Sequence, residues 1–560
     1  MKYKRPVPVV VILGYGVALW VSGCARWGGA RIQDGAPLNG AVGNVVNLSQ
    51  GWTPQEQESF YYTSQGSQLL PYTWFLALEQ AENTNLFRAD ANLDRLRWLP
   101  ARPSKLNPDG LPVGFTKDID ATTKQAWMGL NCAACHTSQV EYRNVSLRID
   151  GGPAMADAQG FLAELGDALQ HTLGSPSKFD RFAHRVLGAR YDDNQAKQLR
   201  LEMRSVRRYV LRRIERNASP HPYGFARLDA FGNILNEVLA YGLDLPENQR
   251  PCDAPVSFPF LWDTAQSDVV QWNGAAANAP SGLGPLARNV GEVLGVFGKL
   301  DITPNEVPLG YASSAKLINL DKLEHWTADL WSPAWPQQSL PPIDQAKAAN
   351  GRAHYTRLCQ DCHQPIDRTD PHRRVTAQMI PLSKIGTDPT MAMNFYSRIA
   401  KTGRLAGTPT GVFLGPDFGT NAQAGEILRN VALGVLVRHP GETLIAAIQD
   451  HLKVSRSPPF DLRSYKARPL NGIWATAPFL HNGSVPNLWE LLQPPDRRVQ
   501  QFFVGSRAFD PVQVGFATED SPGAFRFDTR LPGNSNAGHD YGTTLTDAQK
   551  WELIEYLKSL

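Results

Sequence analysis

The chain has 560 residues, 42% of them hydrophobic and 19% charged, with a formal net charge of +3. So balanced a charge gives no reason to expect a nucleic-acid or strongly acidic partner, and the apolar content is enough for large cores spread over two or three domains.

The N-terminus reads as an export signal. Lys2, Lys4 and Arg5 precede an apolar run from Val7 to Val21 that is broken by Gly14 and Gly16. The run is short for a membrane span, which takes about 20 apolar residues. It ends in Val21-Ser22-Gly23-Cys24, which resembles the lipobox of bacterial lipoproteins, and Ala25 follows as in outer-membrane sorting. The expectation is a signal peptide over residues 1–23 and a periplasmic protein anchored at Cys24 in the outer membrane. The alternative is an ordinary signal peptide with a chance cysteine near the cut. Residues 24–50, rich in Gly, Ala and Asn, read as a flexible tether. No other segment reads as a membrane span, so membrane contact is expected through the N-terminal lipid only.

Cys132-Ala133-Ala134-Cys135-His136 follows, and Cys359-Gln360-Asp361-Cys362-His363 repeats its pattern. Each is Cys-x-x-Cys-His, the attachment sequence of a c-type haem: two thiols add to the porphyrin vinyl groups and the adjacent His ligates the iron. With 6 Cys and 12 His in the chain, chance predicts about 0.001 such pentads. A zinc site would need further paired Cys or His, and the cysteines run out. Cys132, Cys135, Cys359 and Cys362 are thus assigned to two covalently bound haems, with His136 and His363 as proximal ligands. Cys252 is the one cysteine left over and reads as a small buried apolar residue.

Between the motifs, Arg204, Arg207, Arg208, Arg212, Arg213 and Arg216 crowd one expected helix. The run reads as a solvated face, with docking of an acidic electron-transfer partner as the alternative. Phe258-Pro259-Phe260-Leu261-Trp262 is an aromatic run that would suit a dry pocket for an apolar substrate, or plain core packing. Glu292, in Arg288-Asn289-Val290-Gly291-Glu292, is a candidate distal acid or base for splitting an O–O bond, or a solvated carboxylate at a helix start. Glu292, Trp262 and Phe260 are the candidate catalytic residues. The Pro-rich stretch from Trp331 to Pro342 separates an N-terminal haem domain (51–335) from a C-terminal cytochrome c domain (343–560).

In the second half, Gly351 and Tyr355 share one face of an expected helix leading into Cys359. A terminal helix starts at a Thr546/Gln549 capping box and carries Leu553, Leu557 and Leu560 at helical spacing. The fold class expected is mainly α, with two c-type cytochrome haem domains, long irregular loops and little β. Three distal ligands compete for the iron at His363. His539 lies in the small, polar loop Gly533–Gly542, and His481 lies in Arg468–Leu488. Met391 or Met393 would be a third choice, although a Met in an apolar segment is more often core filler.

Tyr62–Ser67, the first haem motif, Asp150-Gly151-Gly152-Pro153 and Arg468–Leu488 together resemble the di-haem cytochrome c peroxidase superfamily. Closest is its branch of rubber-oxygenase-like cytochromes. The resemblance implies a reactive haem whose only protein ligand is His136, and an electron-transfer haem held by His363 and a C-terminal His. His539 is preferred over the runner-up His481, because in relatives the position of His481 lies near the haem without ligating it. The function implied is a peroxidase-like oxidoreductase that takes hydrogen peroxide or dioxygen as oxidant and draws electrons from a redox partner or small donor. An oxygenase cleaving an apolar alkene such as rubber, and a non-enzymatic electron carrier, stay open as alternatives.

Overall fold

The computed structural model describes residues 45–278, 284–306, 310–449 and 460–560. The expected signal peptide, the anchor at Cys24 and the tether up to residue 44 lie outside the described residues.

The tether expectation does not extend to its last residues. Val45–Asn47 form a strand (β1). It runs parallel to Val145–Asp150 (β3), which pairs antiparallel with Thr137–Tyr142 (β2). Val45 is buried there, because a β-branched residue beside a ready strand edge gains more from pairing and burial than from remaining free. The sheet matters to the first haem motif, since β2 begins at the residue after His136. Helix α1 (Pro54–Tyr62) opens with a complete Thr53/Glu56 capping box. The Gln57 amide and the Tyr61 hydroxyl both donate to the Asp150 carboxylate at 2.5 Å. Burial raises that carboxyl to about 6, and the two donors oppose the rise. Asp150 therefore ties α1 to the end of β3.

The first motif is itself a one-turn helix, α2 (Cys132–Cys135). Helices α3 (Ala158–Gly174) and α4 (Asp193–Arg216) pack beyond it. They cover an aromatic core in which Trp98, Phe115 and Phe161 meet with ring centroids 5.2–5.6 Å apart. Helix α4 carries the arginine run. Arg204, Arg208 and Arg212 are exposed, but Arg213 is buried, 3.4 Å from Glu237 and donating to the Tyr209 hydroxyl and the Leu294 and Gly295 carbonyls. The run is thus divided between a solvated face and one structural cation.

A second core passes through both halves of the chain. Helix α5 (Gly284–Gly295), helix α6 (Gln345–Leu358) and helix α7 (Ala424–Arg438) contribute to it, as does the terminal helix α8 (Asp547–Ser559). Trp52, Trp262, Val290, Tyr355, Trp474 and Leu553 all belong to it, and so do Trp335 and Leu340 of the Pro-rich stretch. Short strands such as β4 (Gln378–Pro381) and β5 (Ser464–Ala467), which pair antiparallel, lie between the helices.

Helices α6 and α8 form the most extensive helix pair among the described residues. Asp344 caps α6 by accepting from the Lys347 amide, and Thr546 with Gln549 caps α8 as the pattern required. They cross where Gly351 meets the backbone of Glu552. A Cβ on residue 351 would lie 2.0 Å from the Glu552 carbonyl oxygen, so only glycine allows this approach. One turn on, Tyr355 packs on Tyr556 with ring centroids 5.1 Å apart. This contact fixes the direction in which α6 delivers Cys359.

Candidate functional site

The first motif is set by an asparagine. The Asn131 side chain accepts from the Ala133 amide, capping α2, and donates to the Phe60 and Thr63 carbonyls at 2.7 and 2.9 Å. The His136 amide closes the turn on the Cys132 carbonyl (2.9 Å). His136 Nδ1 lies 2.7 Å from the Pro259 carbonyl oxygen and donates to it. That bond fixes the tautomer and leaves Nε2 with a free lone pair, as an iron ligand requires. Burial pushes this imidazole down to about 4 and the Cys135 thiol up to about 12. The ring beside His136 is Phe258, edge-on with centroids 6.3 Å apart, and it has no atom that can ligate.

The second motif repeats the arrangement. His363 Nδ1 donates to the Arg468 carbonyl at 2.7 Å, and the Tyr355 hydroxyl donates to the His363 carbonyl. Here the facing ring is a histidine. His539 stands opposite His363 with ring centroids 6.4 Å apart. Two imidazoles on one metal at bonds of about 2 Å would have centroids about 6 Å apart. His539 Nδ1 is buried without a hydrogen-bond partner, and burial, with His363 and Arg498 beside it, pushes the ring down to about 3. A buried, neutral, partnerless imidazole nitrogen is costly unless a ligand completes it.

The loop that presents His539 is clamped. Arg498 donates to the Asn536 and Gly538 carbonyls at 2.6 and 2.8 Å and to the His539 carbonyl at 3.1 Å. The His539 amide donates to the Ile385 carbonyl, and His539 itself has φ of 53°. Gly538 is required there, since a Cβ would lie 2.3 Å from the Gly386 carbonyl carbon.

Around His363 and His539 lies a cavity of ≈ 210 Å³. Cys359 and Cys362 line it on one side, and Leu488, Leu492, Leu553 and Leu557 make an apolar wall. A thiol pair, a free imidazole on either side and an apolar slot fit a c-type haem. His481 lines the same cavity but is spent on packing. Its ring stacks on Tyr465 at 4.0 Å and sits edge-on to Trp272. Met391 is buried in a separate cluster with Val256 and Tyr465, and Met393 is 37% exposed. Of the candidates weighed, the structure thus brings the His539 ring nearest the His363 ring, with the two planes tilted by 51°.

The candidate catalytic residues are dispersed. Of Phe260 and Trp262, Phe260 lines the cavity around His363 and His539. The two aromatic rings stack on each other at 4.6 Å in the wall beside the Pro259 carbonyl, which is the proximal side. Trp262 is fully buried and donates to the Asn471 carbonyl, while Asn471 in turn bonds Ile366, just past the second motif. Glu292 lies in the last turn of α5, not at its start. Its Oε1 accepts from Gln271 at 3.0 Å and lies 4.0 Å from Arg288, and its charge acts on the Cys132 thiol. Burial raises this carboxyl, although 38% of its side-chain surface is open. Cys252 is fully buried, its sulfur accepting from Asn236.

Two groups escaped the sequence reading: the Pro259 and Arg468 carbonyls that orient the proximal histidines. The weak signal available was the density of aromatic and basic residues around them. Lys466 and Arg468 both line the cavity from the end of β5, and burial lowers both side chains, Arg468 to about 9.

A family described as RoxA-like, cytochrome c-like matches residues 464–503, the segment that brings Lys466, Arg468 and His481 to the cavity. The match supports the rubber-oxygenase-like branch of cytochromes and suggests a haem-binding oxidoreductase. Uncharacterized protein y4iJ of Sinorhizobium fredii (strain NBRC 101917 / NGR234) is 33% identical over 593 residues, which cover 93% of this chain and 94% of the relative. Uncharacterized protein y4iM of the same organism is 27% identical over 324 residues, 54% of this chain and 63% of the relative. The chain belongs to the family of y4iJ.

Proposed function

We propose that this member of the y4iJ family is a di-haem oxidoreductase of peroxidase-like type, with its reactive centre at His136 and an electron relay at His363 and His539. The observation that carries the reading is the contrast between the two proximal histidines: His363 has a second imidazole 6.4 Å away, whereas the ring beside His136 is Phe258, which has no atom that can ligate. When bound, a haem with both axial positions filled supplies single-electron transfer, and one with a free position also takes up peroxide or dioxygen.

The chain's own groups set the conditions. The Pro259 carbonyl holds the proton on His136 Nδ1, so Nε2 stays a lone-pair donor. Glu292, whose carboxyl burial raises, is the group assigned to hold a proton and release it to a departing oxygen. Arg498 fixes the His539 loop, so that the relay does not reorganise as electrons pass. A small donor or redox partner supplies the electrons. We further propose that the chain is exported to the periplasm and anchored through Cys24, in keeping with haem attachment there.

The likeness to the RoxA-like family favours a second reading, an oxygenase that cleaves an apolar alkene. The two separate in one assay. Hydrogen peroxide with a small reducing donor is expected to turn over, and polyisoprene under oxygen without peroxide tests the alternative. Turnover in neither leaves an electron carrier. Glu292→Gln is expected to lower peroxide turnover by about 10²–10⁴-fold while the absorption bands of the His363 haem stay in place. Unchanged turnover in that variant removes Glu292 from the mechanism.

A further inference from the structure

Arg468 makes contacts toward both proximal histidines. Its backbone carbonyl accepts from His363 Nδ1 at 2.7 Å. Its guanidinium lies over the Phe260 ring, 3.2 Å from the centroid, and Nη1 donates to the Phe260 carbonyl at 3.3 Å. Phe260 follows Pro259, whose carbonyl holds His136. A continuous path therefore runs from one proximal imidazole to the other: His136, Pro259, Phe260, Arg468, His363. The field of the guanidinium reaches His136 as well.

The same side chain has an unmet need. Nη2 is buried without a hydrogen-bond partner, on a residue that lines the cavity. The carboxylate whose charge acts on it is Asp263, already committed to Arg373 at 2.6 Å. A guanidinium stays charged in proteins, and a buried cation without a counter-charge is strongly disfavoured. Planar donors of this kind match a carboxylate. The anion that the cavity is otherwise built to receive is a porphyrin, which carries carboxylate side chains of its own.

We propose that Arg468 binds a haem propionate in the wall between the two sites and so sets the reduction potentials of both haems together. The proposal rests on both attachment motifs being loaded. Arg468 is a positioning residue, and its charge near each iron favours the reduced form, because the positive iron is less repelled after gaining an electron.

The test is a spectroelectrochemical titration of the full-length holoprotein and its variants, with haem count checked by intact mass. Arg468→Gln is expected to lower the reduced-to-oxidised ratio at fixed applied potential about tenfold at both haems, a downward shift of about 59 mV for a one-electron couple. Arg468→Lys, which keeps the charge, is expected to stay within about threefold of wild type. A shift at only one haem, no shift, or equal loss in the Lys variant overturns the proposal. If Arg468→Gln yields no holoprotein, Arg468→Lys decides alone. Its potentials should hold while its propionate-bending resonance Raman band moves, and an unmoved band overturns the proposal. A wild-type mass with fewer than two haems defeats the underlying reading instead, so the two failures are distinct.

Discussion

Replacing His539 by alanine turns the haem at His363 from a six-coordinate, low-spin species into a high-spin or water-ligated one, and leaves the haem at His136 unchanged. The expectation follows from the facing rings at 6.4 Å and from the partnerless Nδ1 of His539. The loop that carries His539 has little reason to move, because Arg498 holds it by three of its own carbonyls. Alanine at φ of 53° carries a backbone cost of about 1 kcal/mol. His539→Gly removes the ring without that cost and should give the same spectrum. Absorption and electron paramagnetic resonance spectra of the oxidised variants check this. If His481→Ala causes the change and His539→Ala does not, the ligand is His481, and its stacking on Tyr465 is then secondary.

The second large effect is at the crossing of α6 and α8. Gly351→Ala adds one methyl group, which in an isolated helix would stabilise by about 1 kcal/mol. Here that methyl would lie 2.0 Å from the Glu552 carbonyl oxygen and 2.6 Å from its carbon, and backbone cannot step aside as a side chain can. The helices must separate, and the expected cost is about 3 kcal/mol, at the upper end for overpacking. Because α6 runs directly into Cys359, the damage should also appear as lower haem occupancy at the second motif. Denaturant unfolding of the holoprotein, followed at the His363 haem band, measures it. An unchanged or raised midpoint in Gly351→Ala would show that the crossing tolerates a larger residue.

What the sequence disclosed, and what it hid, divides along physical lines. The haem motifs, the Thr546/Gln549 cap and the Gly351/Tyr355 face are local: each is written in residues a few positions apart, and the cap and the face appear in the structure as read. His539 was approachable because an imidazole in a loop of Gly, Asn and Ser has no apolar surface to serve. The acceptors of the proximal histidines were not approachable. Pro259 lies 123 residues from His136 and Arg468 lies 105 from His363, and in both the working group is a backbone carbonyl, which every residue has. Phe260 and Trp262 were noticed for their aromaticity, but aromatic composition does not say whether a ring lines a cavity or fills a wall. In the structure Phe260 lines the cavity beneath the Arg468 guanidinium, and Trp262, stacked on it, is fully buried. Val45–Asn47 misled for a similar reason, since the strand that receives them lies about a hundred residues on and a Gly-rich lead-in masks the pairing.

Carbon monoxide titration of the dithionite-reduced holoprotein tests the central claim most directly, because it counts irons with a free axial position. One carbon monoxide bound per chain carrying two haems is the expected result, with the His363 haem spectrum unmoved. Either none bound or two bound per chain would contradict the division into an open centre at His136 and a closed relay at His363 and His539.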